Sequence, residues 1–207
     1  MPKQDNSTFT EKAALRKNAL RRLADMGVDR PVVLETHGGE GRLFETCYAT
    51  LEEGAVFETD NVKVSILAKQ RPTWAVYQAD CVAALQGGVG GHLAVDLLDL
   101  DPYGEPWPAI EAFFCSERPF KECMVVAVND GLRQKLAMGG AWDVRSLHGV
   151  VERRGNDLHP VYLEVCRELV AEKAGQAGYE VVYFAGYYCG KNRANTHYLA
   201  TLQRRVS

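Results

Sequence analysis

Residues 32–44, Val-Val-Leu-Glu-Thr-His-Gly-Gly-Glu-Gly-Arg-Leu-Phe, combine an apolar run, a carboxylate and a crowd of glycines. That order predicts a buried parallel strand, a tight turn and the start of a helix. Glycines at such a turn let the backbone approach a ligand closely and permit positive φ. Glu35 sets this loop apart from a phosphate cradle, because a carboxylate at a strand tip repels pyrophosphate and attracts a cation. S-adenosylmethionine carries both an ammonium and a sulfonium, and Glu-x-x-x-Gly-x-Gly suits such a methyl donor better than a dinucleotide. The same spacing is also open to a plainer reading, in which Gly38, Gly39 and Gly41 only close a βα turn.

Three further apolar runs end in acids. Gly54-Ala-Val-Phe-Glu58 lies about where α/β nucleotide folds place the acid that holds a ribose diol, roughly 20 residues after the first loop. Trp74-Ala-Val-Tyr-Gln-Ala-Asp80 and His92-Leu-Ala-Val-Asp-Leu-Leu-Asp-Leu-Asp101 follow. Helical patterns over 42–52, 61–69 and 81–87 separate the runs. A series of this kind fits a doubly wound sheet that binds its ligand at the strands' carboxyl ends. A single acidic strand end is commonplace as a helix N-cap, and Asp80 is open to that reading.

The elements that must position these groups extend along the chain. Residues 1–9 are expected to fray, and Thr10 to cap a helix running to Met26. Leu15, Ala19, Leu23 and Met26 form its apolar stripe. Its other faces carry Lys12, Arg16, Lys17, Arg21 and Arg22 without an acid, which reads as a solvated face or as a phosphate-tracking surface. Beyond Asp101, a short helix is expected over Trp107–Phe114 and a fifth strand over Glu122–Asn129. A helix follows over 131–138, then an irregular excursion over 139–157, of the kind that serves as a substrate loop or stays disordered. Leu158–Ala174 reads as a helix with Pro160 near its first turn. Strands at Tyr179–Tyr188 and Thr196–Gln203 are joined by only Cys189–Asn195, too short for a crossover helix, so they must form an antiparallel hairpin.

The 207 residues, 46% hydrophobic and 25% charged, are ordinary for one globular domain with a substantial core. A net charge of −3 gives no global pull toward nucleic acid, so such binding would need a local patch. The cysteines (Cys47, Cys81, Cys115, Cys123, Cys166 and Cys189) contain no Cys-x-x-Cys pair. Reduced thiols are expected and a zinc site is not. His148, His159 and His197 show no metal spacing. With no signal core at the start and no long apolar run, a cytoplasmic protein is expected, without a membrane span. Neither repeats nor composition indicate an oligomeric state.

Parallel strands in series, a helix and a terminal antiparallel pair resemble the class I S-adenosylmethionine-dependent methyltransferases, over about residues 30–205. The resemblance implies an α/β, doubly wound, mainly parallel seven-stranded sheet with an antiparallel C-terminal hairpin. Residues 1–29 would be a helical extension and 30–207 the catalytic domain. It implies S-adenosylmethionine as cofactor, with Glu35, His37, Gly38, Gly39 and Gly41 around its methionine part. Glu58 would lie on the ribose, and Asp80 with the Cys81 backbone near the adenine amine. His37 departs from the family, standing where a first glycine is usual.

Asp99-Leu-Asp-Pro-Tyr-Gly-Glu-Pro106 carries the chemistry in this resemblance. Methyltransferases of exocyclic amines place an acid, a proline and an aromatic at the end of the fourth strand. An amine whose lone pair is delocalised into a ring is a poor nucleophile. Acceptors on its N–H groups, here Asp101 and the Pro102 carbonyl, push that lone pair toward the methyl group. Tyr103 would stack on the base and align it. The form Asp-Pro-Tyr-Gly-x-Pro is similar to the tRNA guanine-N2 dimethyltransferases, although Glu105 replaces their usual small residue and their additional RNA-binding domain is not expected here. An ordinary β-turn, with Pro second and Gly fourth, accounts for the same letters. The expected substrate is a nucleobase amine of RNA or DNA, met through basic patches such as Gly190-Lys191-Asn192-Arg193, which is equally plain turn chemistry. A small molecule or protein side chain, or a non-catalytic binding module of the same fold, is the competing expectation.

Overall fold

The computed structural model describes residues 8–205. In chain order the elements are α1 (Phe9–Asp25), β1 (Val33–Glu35), β2 (Gly54–Glu58), α2 (Asn61–Gln70), β3 (Ala75–Gln78), α3 (Cys81–Gln86) and β4 (Leu97–Leu100). They continue with α4 (Trp107–Cys115), β5 (Cys123–Asp130), α5 (Leu132–Gly139), α6 (His148–Arg154), α7 (Tyr162–Gln176), β6 (Tyr179–Cys189) and β7 (Asn195–Arg204). The strands form one seven-stranded sheet in the order β3-β2-β1-β4-β5-β7-β6. Strands β1 to β5 pair in parallel, and β7 runs antiparallel between β5 and β6. The expected hairpin is present, and its second strand lies beside β5.

Strand β1 has β2 on one side and β4 on the other, so the winding direction reverses there. A crevice opens at such a switch point, outside the carboxyl ends of the strands. Glu35 pairs in register with Val56 and with Asp99, which brings the ends of β1, β2 and β4 level. Alternation along β4 decides which way its acids face. Leu98 and Leu100 enter the core that packs under α4 and α7, with Ile110, Phe113 and Val165. Leu97 joins Val33, Val125, Ala127 and Leu199 in the opposite core, closed by Leu15, Ala19 and Leu23 of α1. Asp99 therefore faces α1, and the chain leaves β4 with Asp101 on the same side.

Several sequence expectations need correction. Of the fraying expected over 1–9, residues 1–7 lie outside the described residues, while Phe9 already opens α1. Thr10 lies inside that helix, and the cap position falls at Thr8, whose side chain makes no capping bond. The helix expected over 42–52 is a short one with a π-helical part at Phe44–Tyr48. Residues 139–157 are ordered as a 3₁₀ turn (Arg145–Leu147) followed by α6. Two of their four glycines are helix stops: Gly140 and Gly155 take φ of 77° and 82° directly after α5 and α6. The Asn156 side chain then accepts from the backbone of Ala141 at 2.6 Å and Trp142 at 3.0 Å, closing the excursion on itself. Helix α7 starts at Tyr162, after Pro160, because the residue before a proline is disfavoured from helical φ/ψ. Among the described residues no helix is long and apolar enough to cross a membrane.

Candidate active site

The loop after β1 descends between α2 and β2 because it carries no side chains there. A Cβ at Gly38 would stand 2.5 Å from Leu67 Cδ1 and 2.6 Å from Val56 Cγ2. The Gly38 amide instead donates to the Phe57 carbonyl at 3.0 Å. Gly39 turns the chain at φ 55° with open space where a side chain would stand. Its amide donates to Glu58 Oε2 at 2.9 Å. Glu58 Oε1 accepts from the backbone amides of Thr59 at 2.8 Å and Asp60 at 3.0 Å. The acid at the end of β2 thus ties the glycine loop to the start of α2, whose first turn Asp60 caps through Val62 and Lys63.

A cavity of about 440 Å³ lies over this loop. His37, Gly38, Gly39, Glu58, Asp101, Pro102 and Tyr103 all line it, so the two motifs read from sequence share one space. Phe9 and Lys12 of α1 close it from above the sheet, with Arg42 and Lys63 at its rim. A larger cavity of about 710 Å³, lined by α3 and α4 residues such as Val82 and Glu111, touches neither motif.

Glu35, Gly41, Asp80 and Cys81 lie off the shared cavity. Glu35 is buried and paired with Arg71. Burial pushes its carboxyl up to about 7 against the pull of that guanidinium. Arg71 is itself held over the rings of Phe44 at 4.3 Å and Trp74 at 5.3 Å. Gly41, at φ 81°, packs so closely on the Gln70 side chain that a Cβ would overlap it. Exposed Asp80 caps α3 by accepting from the Ala83 amide at 2.9 Å. Buried Cys81 lies 3.9 Å from His37 Nε2, and burial pushes its thiol up to about 11, so it is no nucleophile near neutrality. His37 meets Thr36 Oγ1 at 2.8 Å through Nδ1, and burial lowers its pKa.

The Asp-Pro-Tyr-Gly segment leaves β4 as an open bend. Tyr103 is 95% exposed, with its ring free of any packing duty. Gly104 takes φ 125°, and its carbonyl accepts from the Gly131 amide at 3.0 Å, which pins the bend to the end of β5. Asp101 Oδ1 accepts from Lys12 Nζ and from Asn129 Nδ2, both at 2.6 Å. Burial would raise this carboxyl, but Arg16 and Lys12 outweigh it and hold it below the ordinary carboxylate range.

Sequence reasoning missed the second half of this arrangement. Arg16 is fully buried and donates to Asp99 Oδ1 through Nε at 2.9 Å and Nη2 at 2.5 Å, and through Nη1 to Asn129 Oδ1 at 2.8 Å. Tyr48 donates to the other Asp99 oxygen at 2.7 Å. The basic face of α1 is therefore neither simply solvated nor wholly turned to a ligand, since Lys12 and Arg16 point into the protein. Arg22 lies over the Tyr183 ring at 3.2 Å, and Lys17 and Arg21 are exposed. A signal was available in the spacing. Four helical residues rise about 6 Å, and two strand residues span about 6.6 Å. Cations at 12 and 16 thus match acids at 101 and 99 on an antiparallel helix.

No family model matches the chain, and no curated protein matches it. Solved structures do. The chain is similar to Trm1 from Pyrococcus horikoshii in complex with S-adenosyl-L-methionine, with a TM-score of 0.68 at 12% identity. That match covers 97% of this chain and 56% of Trm1, so the chain spans little more than half of that relative's length. It is similar to M. jannaschii TYW2 in complex with AdoMet, with a TM-score of 0.62 at 11% identity over 98% of this chain and 78% of that one. It is also similar to the N-methyltransferase NodS from Bradyrhizobium japonicum WM9, with a TM-score of 0.56 at 13% identity over 98% and 99% of the two chains. The fold is the Rossmann-like fold of these proteins.

Proposed function

We propose that this chain is an S-adenosylmethionine-dependent N-methyltransferase acting on an exocyclic amine, with a nucleobase as the favoured acceptor. The observation that carries the reading is the shared cavity, lined by the glycine loop and Glu58 on one side and by Asp101, Pro102 and Tyr103 on the other. The residues present fit the cofactor. Gly38 lets the loop seat against buried Leu67 and Val56, and Gly39 leaves bare backbone with open space where a Cβ would stand. Glu58 is an acid at the β2 terminus, suited to accept from a ribose diol. His37, neutral through burial, adds no cation beside a ligand that is itself cationic at sulfur. Gly38, Gly39 and Glu58 would hold the cofactor by direct contact. Glu35, Gly41, Asp80 and Cys81 would shape the walls behind it. When bound, the cofactor supplies a methyl group activated by its sulfonium.

The rest of the chemistry falls to the chain. Asp101, ionised through its cationic neighbours, accepts one N–H of the acceptor amine, and the Pro102 carbonyl accepts the other. Both bonds strengthen as positive charge grows on nitrogen, so they lower the barrier more than they tighten ground-state binding. Exposed Tyr103 offers a stacking face that holds the base in line. No metal is assigned a role.

The inward turn of Lys12 and Arg16 favours a second reading, in which the acceptor is a small-molecule amine. Those two cations are committed to Asp99 and Asp101 and are not offered to a phosphate backbone. One experiment separates the readings. Titration with S-adenosylmethionine tests the cofactor, and labelled-methyl transfer is screened against tRNA, rRNA, DNA and small-metabolite pools. Label in a polynucleotide supports the first reading and label in the metabolite pool the second. Absence of cofactor binding would leave only a binding module of this fold.

A further inference from the structure

The two oxygens of Asp101 are used differently. Oδ1 takes both protein donors, Lys12 Nζ and Asn129 Nδ2, whereas among the described residues no hydrogen bond goes to Oδ2. Asn129 is fixed in turn by Arg16, which donates to its Oδ1. Lys12 lines the cavity beside Asp101, in the first turns of α1. We propose that Lys12 is a positioning residue of the active site, fixing Asp101 through Oδ1 so that Oδ2 is left to accept the substrate amine.

This deepens the methyl-transfer reading and rests on it. The ionised carboxylate is the stronger acceptor, and because Oδ1 already takes two N–H donors, a protonated Asp101 would carry its O–H on Oδ2, toward the nitrogen. The charged and titratable groups around Asp101 come from several elements: Lys12 and Arg16 on α1, His37 after β1 and His197 on β7. Neutral Asn129 of β5 completes the surroundings. Burial lowers the pKa of His37, and that of His197 to about 3, so near neutrality both are uncharged. Arg16 exerts the larger pull on Asp101, but its own hydrogen bonds go to Asp99 and Asn129. Lys12, paired with no other carboxylate among the described residues, is the cation bonded directly to Asp101.

The test uses the full chain with Lys12→Met and Lys12→Arg. The Asp101 carboxyl carbon is titrated by NMR and assigned by its loss in Asp101→Asn. S-adenosylmethionine affinity, kcat and KM are measured alongside. In Lys12→Met the Asp101 midpoint should rise, cofactor affinity should hold, and kcat should fall about 10–100-fold. KM should change little, and the acid limb of the kcat profile should move to higher pH. Lys12→Arg should recover most of both. An unmoved Asp101 midpoint in folded Lys12→Met overturns the proposal, as does a moved midpoint with unchanged kcat. Lost cofactor affinity also overturns it, because Lys12 would then be a cofactor residue. If the wild type methylates no acceptor, the functional reading has failed, and the carboxyl titration alone still decides whether Lys12 controls Asp101.

Discussion

Arg16 and Asp99, 83 residues apart in sequence, meet in a buried forked pair with both Nε and Nη2 on one carboxylate oxygen. The pair locks α1 to the end of β4, two residues before Asp101. Because β4 and α1 run in opposite directions, the same contact sets Lys12 over Asp101. A helix lying outside both motifs thus fixes the geometry of one of them.

Removing the cation should show what this lock contributes. Arg16→Met leaves Asp99 buried and charged with only Tyr48 as partner, and breaking such a pair on one side costs about 3–5 kcal/mol. Arg16→Lys should recover only part of that, since an ammonium cannot reproduce the fork. Urea unfolding measures both. Wild-type stability in Arg16→Met would mean that α1 is held by its apolar stripe alone.

The glycine loop makes a second test. Gly38→Ala forces a methyl into Leu67 and Val56, both buried in the core, and should destabilise by about 1–3 kcal/mol. Gly39→Ala meets no atom, and its cost is the left-handed φ alone, about 1–2 kcal/mol. Cofactor affinity should fall in both variants, because Gly38→Ala displaces the backbone beneath the cavity and Gly39→Ala adds a methyl to the loop that lines it. Thermal unfolding and calorimetric titration report the two effects separately. Gly38→Ala as stable as wild type would show that the loop does not pack as described.

These two sites mark what the sequence made legible. Periodicity and the short final connection made the parallel series and its antiparallel last pair legible, and the two motifs that line one cavity could be read because each is a local pattern; the strand order, and with it the switch point, depends on pairing between distant segments. Glu35 shows where local reading stops: a strand-tip acid looks ready for a cation, and nothing near it in sequence indicates that Arg71 supplies one. Asp80 likewise caps a helix, as any acid at that position can. Lys12 and Arg16 read as surface cations because their partners lie on a strand more than 80 residues away. The glycines around α6 read as a loop because helix stops and loops share one residue.

Asp130 makes stability depend on pH in a predictable sense. The carboxyl is buried and accepts from the Leu132 amide and the Tyr162 hydroxyl, both at 2.8 Å, with no ion pair to a cation among the described residues. Burial first, and the nearby charge of Glu105 second, push it up from 3.8 to about 7. The folded state therefore keeps the proton over a range in which the unfolded chain has released it. Its contribution is full below the ordinary carboxylate range and is lost as pH rises toward about 7. Glu35, raised to about 7, works in the same direction. Asp130→Asn cannot ionise, so its stability relative to wild type should improve across that window and level off above it. Unfolding midpoints measured from acid to neutral pH check this, and parallel curves for the two proteins would contradict it.

The chemistry itself is tested at Asp101 and Tyr103. Asp101→Asn keeps the shape and, with its oxygen still accepting from Lys12 and Asn129, puts an amide donor where Asp101 has its second acceptor oxygen. Cofactor affinity should stay close to wild type, because Asp101 is assigned to the acceptor amine. Turnover should fall about 10²–10⁴-fold, the usual worth of a positioned group of this kind. Tyr103 separates stacking from hydrogen bonding. At 95% exposed, its loss has no folding consequence to confuse the result. Tyr103→Phe should be tolerated, whereas Tyr103→Ala should lose about 1–3 kcal/mol of base stacking. That loss should appear in KM as well as kcat, since the ring holds the acceptor before and during transfer. Normal methylation by both Asp101→Asn and Tyr103→Ala would end the amine-methylation mechanism while leaving the fold untouched. A loss in Asp101→Asn with full activity in Tyr103→Ala would keep the N-methyl transfer and remove the planar base, which would turn the search to aliphatic amines.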